Sequence, residues 1–160
     1  MEGLYNPRRV DFGKTGLTVT KLSFGAMNLR LMKNIKMAEE LVNYVLDNNI
    51  NLIDTARSYN GVNASGQEVV SERVVGSVLA KRKDLKEPII IVTKGHGYTP
   101  QEFDKELAQS REALGIKNIG NDLYIGTTKI KLVYFFHGIN VERYKVISEN
   151  YTISHALEKK

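Results

Sequence analysis

Apolar residues along the chain form short runs typical of buried strands, separated by stretches with helical spacing. The strand-like runs are Leu22–Phe24, Asn51–Ile53, Ile89–Val92 and Leu132–Phe136. The helical stretches contain Ala38 to Leu46, Val70 to Leu79, Phe103 to Leu114, and Val141 to Ile147 behind Asn140 as a cap. The pattern therefore predicts about four consecutive strand–helix units.

Local signals mark the ends of several of these elements. Val10–Phe12 and Thr18–Thr20 flank a turn-like GKTG stretch and predict an N-terminal β-hairpin. Thr99, Pro100 and Glu102 form a good helix start, with a capping box and proline at the first helical position. The segment 116–131 contains the turn-like stretches NIGND and GTTK, which indicate either a small excursion at the amino end of the fourth strand or a reshaped fourth unit.

Alternating strands and helices imply an α/β fold with a parallel sheet and right-handed crossovers. A closed (β/α)8 TIM barrel needs eight such units and about 250 residues. This chain has 160 residues and about four units. The pattern therefore leaves two alternatives, a small open α/β domain or the first half of a barrel.

Composition narrows the class of protein further. The chain has no cysteine, which excludes disulfides and thiolate metal sites and fits a reducing cytoplasm. No apolar run approaches the roughly 18 residues needed to span a membrane, and the N-terminus lacks the apolar core of a secretory signal. The net charge of +5 is dispersed among acidic residues, so we expect neither nucleic acid nor a membrane as partner. The histidines lack metal-ligand spacing, so no metal site is predicted.

Four side chains suited to proton transfer follow the predicted strands. Asp54 ends the second strand, and Tyr59 lies five residues further on. Lys94 follows the third strand and His137 the fourth. Because the carboxyl ends of parallel strands meet at one edge of a sheet, we expect an acid, a phenol, an ammonium and an imidazole to lie close together there.

These four residues and their surroundings resemble the aldo-keto reductase family. The resemblance runs from FGKTGLTVTKLSFGAMNL through NLIDTARSYN, SERVVGSVL and IVTKGHG to YFFHGIN. It implies that residues 1–160 form a single domain, the N-terminal part of a TIM (β/α)8 barrel with a hairpin lid. The family's catalytic Asp, Tyr, Lys and His correspond to Asp54, Tyr59, Lys94 and His137.

The resemblance implies reduction of an aldehyde or ketone by hydride from NADPH. Tyr59 would donate a proton to the carbonyl oxygen, and Lys94 would favour the phenolate that remains. Asp54 would hold Lys94 charged and in place. His137 would orient the carbonyl, or help the proton transfer, through a ring nitrogen. The turn of Gly25, Ala26 and Met27, together with Asp54, would bind the nicotinamide end of NADP(H).

In two respects the chain departs from that family. The segment 116–131 is longer than the usual link between the third helix and the fourth strand. The second departure concerns the cofactor site. The family binds its cofactor largely with loops after the fifth to eighth strands, which this chain does not contain. An open half-barrel would also leave the first and fourth strands with unpaired edges, which favours self-association or a second half-barrel chain as partner. Two rival hypotheses therefore stay open, a catalytically inactive half-barrel remnant or subunit and an unrelated small α/β binding domain.

Overall fold

The computed structural model describes residues 7–96, 99–138, 141–148 and 151–157. The strands are β1 (Arg9–Asp11), β2 (Thr18–Thr20), β3 (Phe24–Gly25), β4 (Leu52–Asp54), β5 (Asn60–Val62), β6 (Glu68–Val70), β7 (Ile89–Gly95), β8 (Ile116–Ile119), β9 (Asp122–Ile125), β10 (Thr128–Gly138), β11 (Val141–Ser148) and β12 (Tyr151–Leu157). The helices are α1 (Ile35–Asp47), α2 (Ser71–Lys81) and α3 (Pro100–Leu114), and a 3-10 helix spans Ala26–Leu31.

Strands β3, β4, β7 and β10 form a parallel array in that spatial order. A helix lies between each of these strands and the next strand of the array: α1 after β3, α2 after β4 and α3 after β7. The α/β class with four parallel strands is therefore confirmed, and the arrangement corresponds to part of a TIM barrel.

The two faces of the array have different neighbours because side chains alternate along a strand. On β7, Ile89 and Ile91 lie in the main core with the helices. Ile90 and Val92 lie in a second cluster on the opposite face, packed against residues of the hairpin. That opposite face corresponds to the interior of a barrel.

The predicted N-terminal hairpin is confirmed. β1 and β2 pair antiparallel, with Val10 opposite Val19. Val19 is buried in the second cluster, and Val10, Phe12 and Leu17 pack against it. The hairpin therefore covers part of the interior face.

The predicted start of α3 is also confirmed. The Thr99 side chain accepts a hydrogen bond from the Glu102 amide, and the Glu102 side chain accepts one from the Thr99 amide. Together these bonds satisfy two amide groups that a helix start leaves without intrahelical partners.

The predicted excursion before the fourth strand is a small antiparallel unit. β8 pairs with β9, and β9 pairs with the beginning of β10. Gly120 and Gly126 occupy the turns with φ of +60° and +59°, a conformation that glycine adopts without steric cost. The unit extends the sheet at the amino end of β10, away from the edge to which Asp54 and Lys94 belong.

The predicted fourth helix is wrong. Residues Val141–Ser148 form β11, which pairs antiparallel with β10 over seven positions from Leu132↔Ile147 to Gly138↔Val141. β12 then pairs with β11. The β-branched and aromatic residues of VERYKVIS suit a strand, and a neighbouring strand edge decides between the two structures. The edge of β10 is consequently paired, contrary to the expectation of an open fourth strand.

None of the helices within the described ranges is long and apolar enough to cross a membrane.

Candidate active site

Three of the four predicted catalytic side chains meet at the carboxyl ends of β4 and β7. The Lys94 ammonium donates to Asp54 Oδ1 at 2.7 Å, to the Thr55 carbonyl at 2.8 Å and to Tyr59 Oη at 3.3 Å. The same nitrogen lies 4.9 Å from the centre of the Tyr59 ring. The side chains of Lys94 and Asp54 are 30% and 36% exposed, so the cluster is supported by protein and open to solvent.

The strand pairing explains why these groups meet. Side chains alternate between the two faces of a strand. Asp54 is therefore on the same face of β4 as Leu52, and Lys94 is on the same face of β7 as Ile90 and Val92. These apolar residues belong to the second cluster, on the interior face of the array. Asp54 and Lys94 therefore lie on that same face, at its solvent-exposed end.

Backbone hydrogen bonds hold the loop after β4 against β7. The Thr55 amide donates to the Val92 carbonyl at 2.8 Å, and the Arg57 amide donates to the Lys94 carbonyl at 3.1 Å. The first residues of the loop that carries Tyr59 therefore stay hydrogen-bonded to β7 beyond the end of β4.

The predicted nicotinamide contacts divide into open and buried positions. Gly25 pairs in register with Asp54, and a Cβ placed on Gly25 would meet no atom within 4 Å. Met27 is 44% exposed, whereas Ala26 is fully buried and its carbonyl accepts a hydrogen bond from the Ser71 hydroxyl. Gly25 and Met27 are therefore open to solvent at this turn, whereas Ala26 is packed inside it.

His137 lies in β10, two residues beyond Phe135, whose backbone is in register with Lys94. Its side chain lies outside the described part of the structure, so its predicted role stays a prediction.

A second polar group, which the sequence analysis missed, lies on the other face of the array. Glu72 is fully buried in the first turn of α2. Its Oε2 is 3.1 Å from an Arg57 guanidinium nitrogen, and its Oε1 accepts a hydrogen bond from the Thr93 hydroxyl at 2.8 Å. A carboxylate on a helix face otherwise made of Val75 and Leu79 was the available signal.

A cleft of about 370 Å³ lies at the amino ends of the strands, lined by Arg9, Asn51, Pro88 and Lys131 among others. It is at the opposite end of the sheet from Lys94. The cleft also carries ionisable side chains, Glu87 and Lys131 among them. The cluster around Lys94 is the candidate active site because it joins a carboxylate, an ammonium and a phenol by hydrogen bonds.

Comparison with known proteins identifies the family. The sequence model that describes the aldo/keto reductase family matches residues 21–125 of this chain, which include Asp54, Tyr59 and Lys94. The chain belongs to the aldo/keto reductase family. The match ends before β10 begins at Thr128, so His137 lies beyond it. Aldo/keto reductases are oxidoreductases, and the family generally uses a nicotinamide cofactor.

Two curated relatives carry oxidoreductase names. A 6-dehydroglucose reductase of Novosphingobium aromaticivorans is 33% identical over 107 residues, covering 65% of this chain and 34% of that protein. An uncharacterized oxidoreductase of Bacillus subtilis is 34% identical over 83 residues, covering 51% of this chain and 24% of that protein.

Solved aldo-keto reductases share the fold. A putative member from Pseudomonas aeruginosa superposes with a TM-score of 0.54 at 23% identity, over 70% of this chain and 44% of that one. A holo form from Bacillus halodurans gives 0.54 at 24% identity, over 72% of this chain and 39% of that one. The chain thus spans about a third or less of the curated relatives and less than half of these structures.

Proposed function

We propose that this chain carries the proton-donating part of an NADP-dependent aldo-keto reductase that reduces an aldehyde or a ketone. The observation that supports this most is the contact of Lys94 with both Asp54 and Tyr59. The arrangement sits at the carboxyl ends of parallel strands, where enzymes built on barrels of this type carry their active sites.

The hydrogen bonds of Lys94 support a direction for the proposed proton transfer. The three hydrogens of the Lys94 ammonium are directed to Asp54, Thr55 and Tyr59. Because Tyr59 Oη accepts the bond from Lys94, its own hydrogen can be donated to a carbonyl oxygen bound above it. The ammonium then stabilises the phenolate, and Asp54 balances the ammonium charge.

When bound, the nicotinamide supplies the hydride, and the residues of this chain supply position. The open position of Gly25, which is in register with Asp54, and exposed Met27 in the same turn support a place for the ring there. NADP(H) is the proposed cofactor, and the substrate is a small carbonyl compound in the cytoplasm. Neither nucleic acid nor a membrane is proposed as a partner.

One observation favours a second function, that of a catalytically inactive half-barrel remnant or subunit that associates with itself or with a second half. In a barrel the fifth strand would pair with the free edge of the fourth. Here β11 occupies that edge of β10 over seven register positions. Completion of the barrel at this edge would require β11 to leave it.

Titration of the purified chain with NADPH, followed by nucleotide fluorescence with the oligomeric mass measured on the same sample, separates the two functions. Saturable binding, followed by oxidation of NADPH when aldehydes are added, is the result that the enzymatic proposal expects. A folded chain that neither binds nor oxidises NADPH would contradict that proposal and favour the inactive subunit.

A further inference from the structure

Glu72 has no part in the proton transfer proposed above, yet it is one of the most enclosed charged groups that the structure describes. Its side chain is 0% exposed, and its two oxygens have different partners, the Arg57 guanidinium and the Thr93 hydroxyl. A buried carboxylate is costly unless its charge is paired and its oxygens are hydrogen-bonded, and both conditions are met here. Its position in the first turn of α2 adds a favourable interaction with the helix dipole.

The two partners of Glu72 belong to the segments that carry Tyr59 and Lys94. Arg57 lies two residues before Tyr59, and Thr93 directly precedes Lys94. Because neighbours on a strand point to opposite faces, Thr93 faces Glu72 while Lys94 faces Asp54. On the face of the sheet that α2 covers, the Glu72 carboxylate therefore connects the end of β7 with the loop after β4. These are the two segments whose side chains, Lys94 and Tyr59, meet at the candidate site.

The residue next to Glu72 strengthens the same connection. The Ser71 amide donates to the Tyr59 carbonyl at 2.9 Å, and its hydroxyl donates to the Ala26 carbonyl at 2.7 Å. The start of α2 thus holds the turn after β3, the loop after β4 and the end of β7.

We infer that Glu72 is a positioning residue that fixes the Tyr59 phenol and the Lys94 ammonium relative to each other through Arg57 and Thr93. The inference rests on the proposed function, because this distance matters for catalysis only if Tyr59 donates the proton. Misplacement of a reacting group by about 1 Å can reduce a rate about 100-fold.

Two substitutions interrupt the connection in different ways. Glu72→Gln keeps the shape of the side chain but removes the charge opposite Arg57. Thr93→Val keeps the shape of the threonine but removes its hydroxyl, and it decides the question if the Glu72→Gln variant fails to fold. Glu39→Gln is the matched control, since Glu39 accepts hydrogen bonds from the Ser77 hydroxyl and the Lys81 ammonium at the α1–α2 contact.

The first measurement is the rate at which acetic anhydride acetylates Lys94 in the folded chain, determined by mass spectrometry relative to exposed Lys117. If Lys94 is displaced and its ammonium loses one hydrogen bond, the acetylation rate of Lys94 should rise about tenfold. We expect a rise of this size in Thr93→Val and Glu72→Gln but none in Glu39→Gln. Acetylation of Lys94 at the parent rate in the folded variants would overturn the inference.

The second measurement is turnover of a carbonyl compound with NADPH. In the same two variants kcat should fall about 10- to 100-fold while KM for NADPH stays unchanged, because positioning is lost and cofactor binding is not. An unchanged kcat would also overturn the inference. If the parent shows no turnover, the proposed function fails, whereas the acetylation of Lys94 still decides whether Glu72 positions it.

Discussion

Thr93 and Lys94 are neighbours on β7, yet they connect to polar groups on opposite faces of the sheet. On the face that α2 covers, the Thr93 hydroxyl donates to the buried Glu72 carboxylate of that helix. On the interior face, the Lys94 ammonium donates to Asp54. Strand alternation alone produces this division. It places the partly exposed Asp54–Lys94 pair on one face and the pair of half-buried Arg57 with buried Glu72 on the other.

Replacement of Lys94 by methionine should affect activity far more than stability. The Asp54–Lys94 pair is about one-third exposed, so its loss should cost no more than about 1 kcal/mol in the free energy of unfolding. Turnover should fall about 100- to 10,000-fold, because Tyr59 loses the cation that stabilises its phenolate. Urea unfolding and NADPH oxidation by the same preparation measure the two effects.

Lys81→Met is the matched control for that substitution. Lys81 also forms an ion pair, with Glu39 at 3.1 Å, but on the outer surface of α2. It should leave turnover unchanged. Equal losses in the two variants would show that Lys94 has no special role.

Gly76 of α2 lies close against the backbone of Leu114 in α3. A Cβ at this position would lie 2.9 Å from the Leu114 Cα and nearer still to its carbonyl. Gly76→Ala should therefore lower the free energy of unfolding by about 1–3 kcal/mol, measured by urea denaturation. Gly25→Ala is the control, because its added methyl group meets no atom within 4 Å and should not destabilise the chain.

The stability contributed by Glu39 should depend on pH. Hydrogen bonds from Ser77 and then Lys81 hold the pKa of the Glu39 carboxyl below its ordinary value of 4.5. The ionised form is therefore favoured in the folded state, and its contribution is complete above pH 4.5 and lost as the pH falls through the lowered pKa. Glu39→Gln should be less stable than the parent at pH 7, by about 1 kcal/mol.

The difference between the two proteins should shrink below pH 4.5, as urea unfolding at several pH values would show. A difference that stays constant down to pH 3 would contradict the assignment of the effect to ionised Glu39.

Local sequence signals predicted much of the fold and of the site. Helical spacing located α1 and α2, the capping box located α3, and glycine-containing turns located the excursion at β8 and β9. Asp54, Tyr59 and Lys94 could be brought together from the sequence because parallel strands bring their carboxyl ends to one edge.

The remaining features depend on contacts between distant parts of the chain. The apolar residues of Val141–Ser148 fit either the spacing of a helix or the alternation of a strand. The pairing of this segment with β10 decides for a strand. The role of Glu72 depends on Thr93, 21 residues away, and on Arg57, 15 residues away. Neither partner is indicated by local spacing, although a carboxylate on an apolar helix face marks a position that needs a partner.

The most direct test of the account is the turnover of carbonyl compounds by Tyr59→Phe compared with the parent, with NADPH affinity measured on both. Phenylalanine keeps the ring beside Lys94 and removes only the hydroxyl that would donate the proton. The account predicts loss of carbonyl reduction with NADPH binding retained. Undiminished turnover in Tyr59→Phe would contradict it.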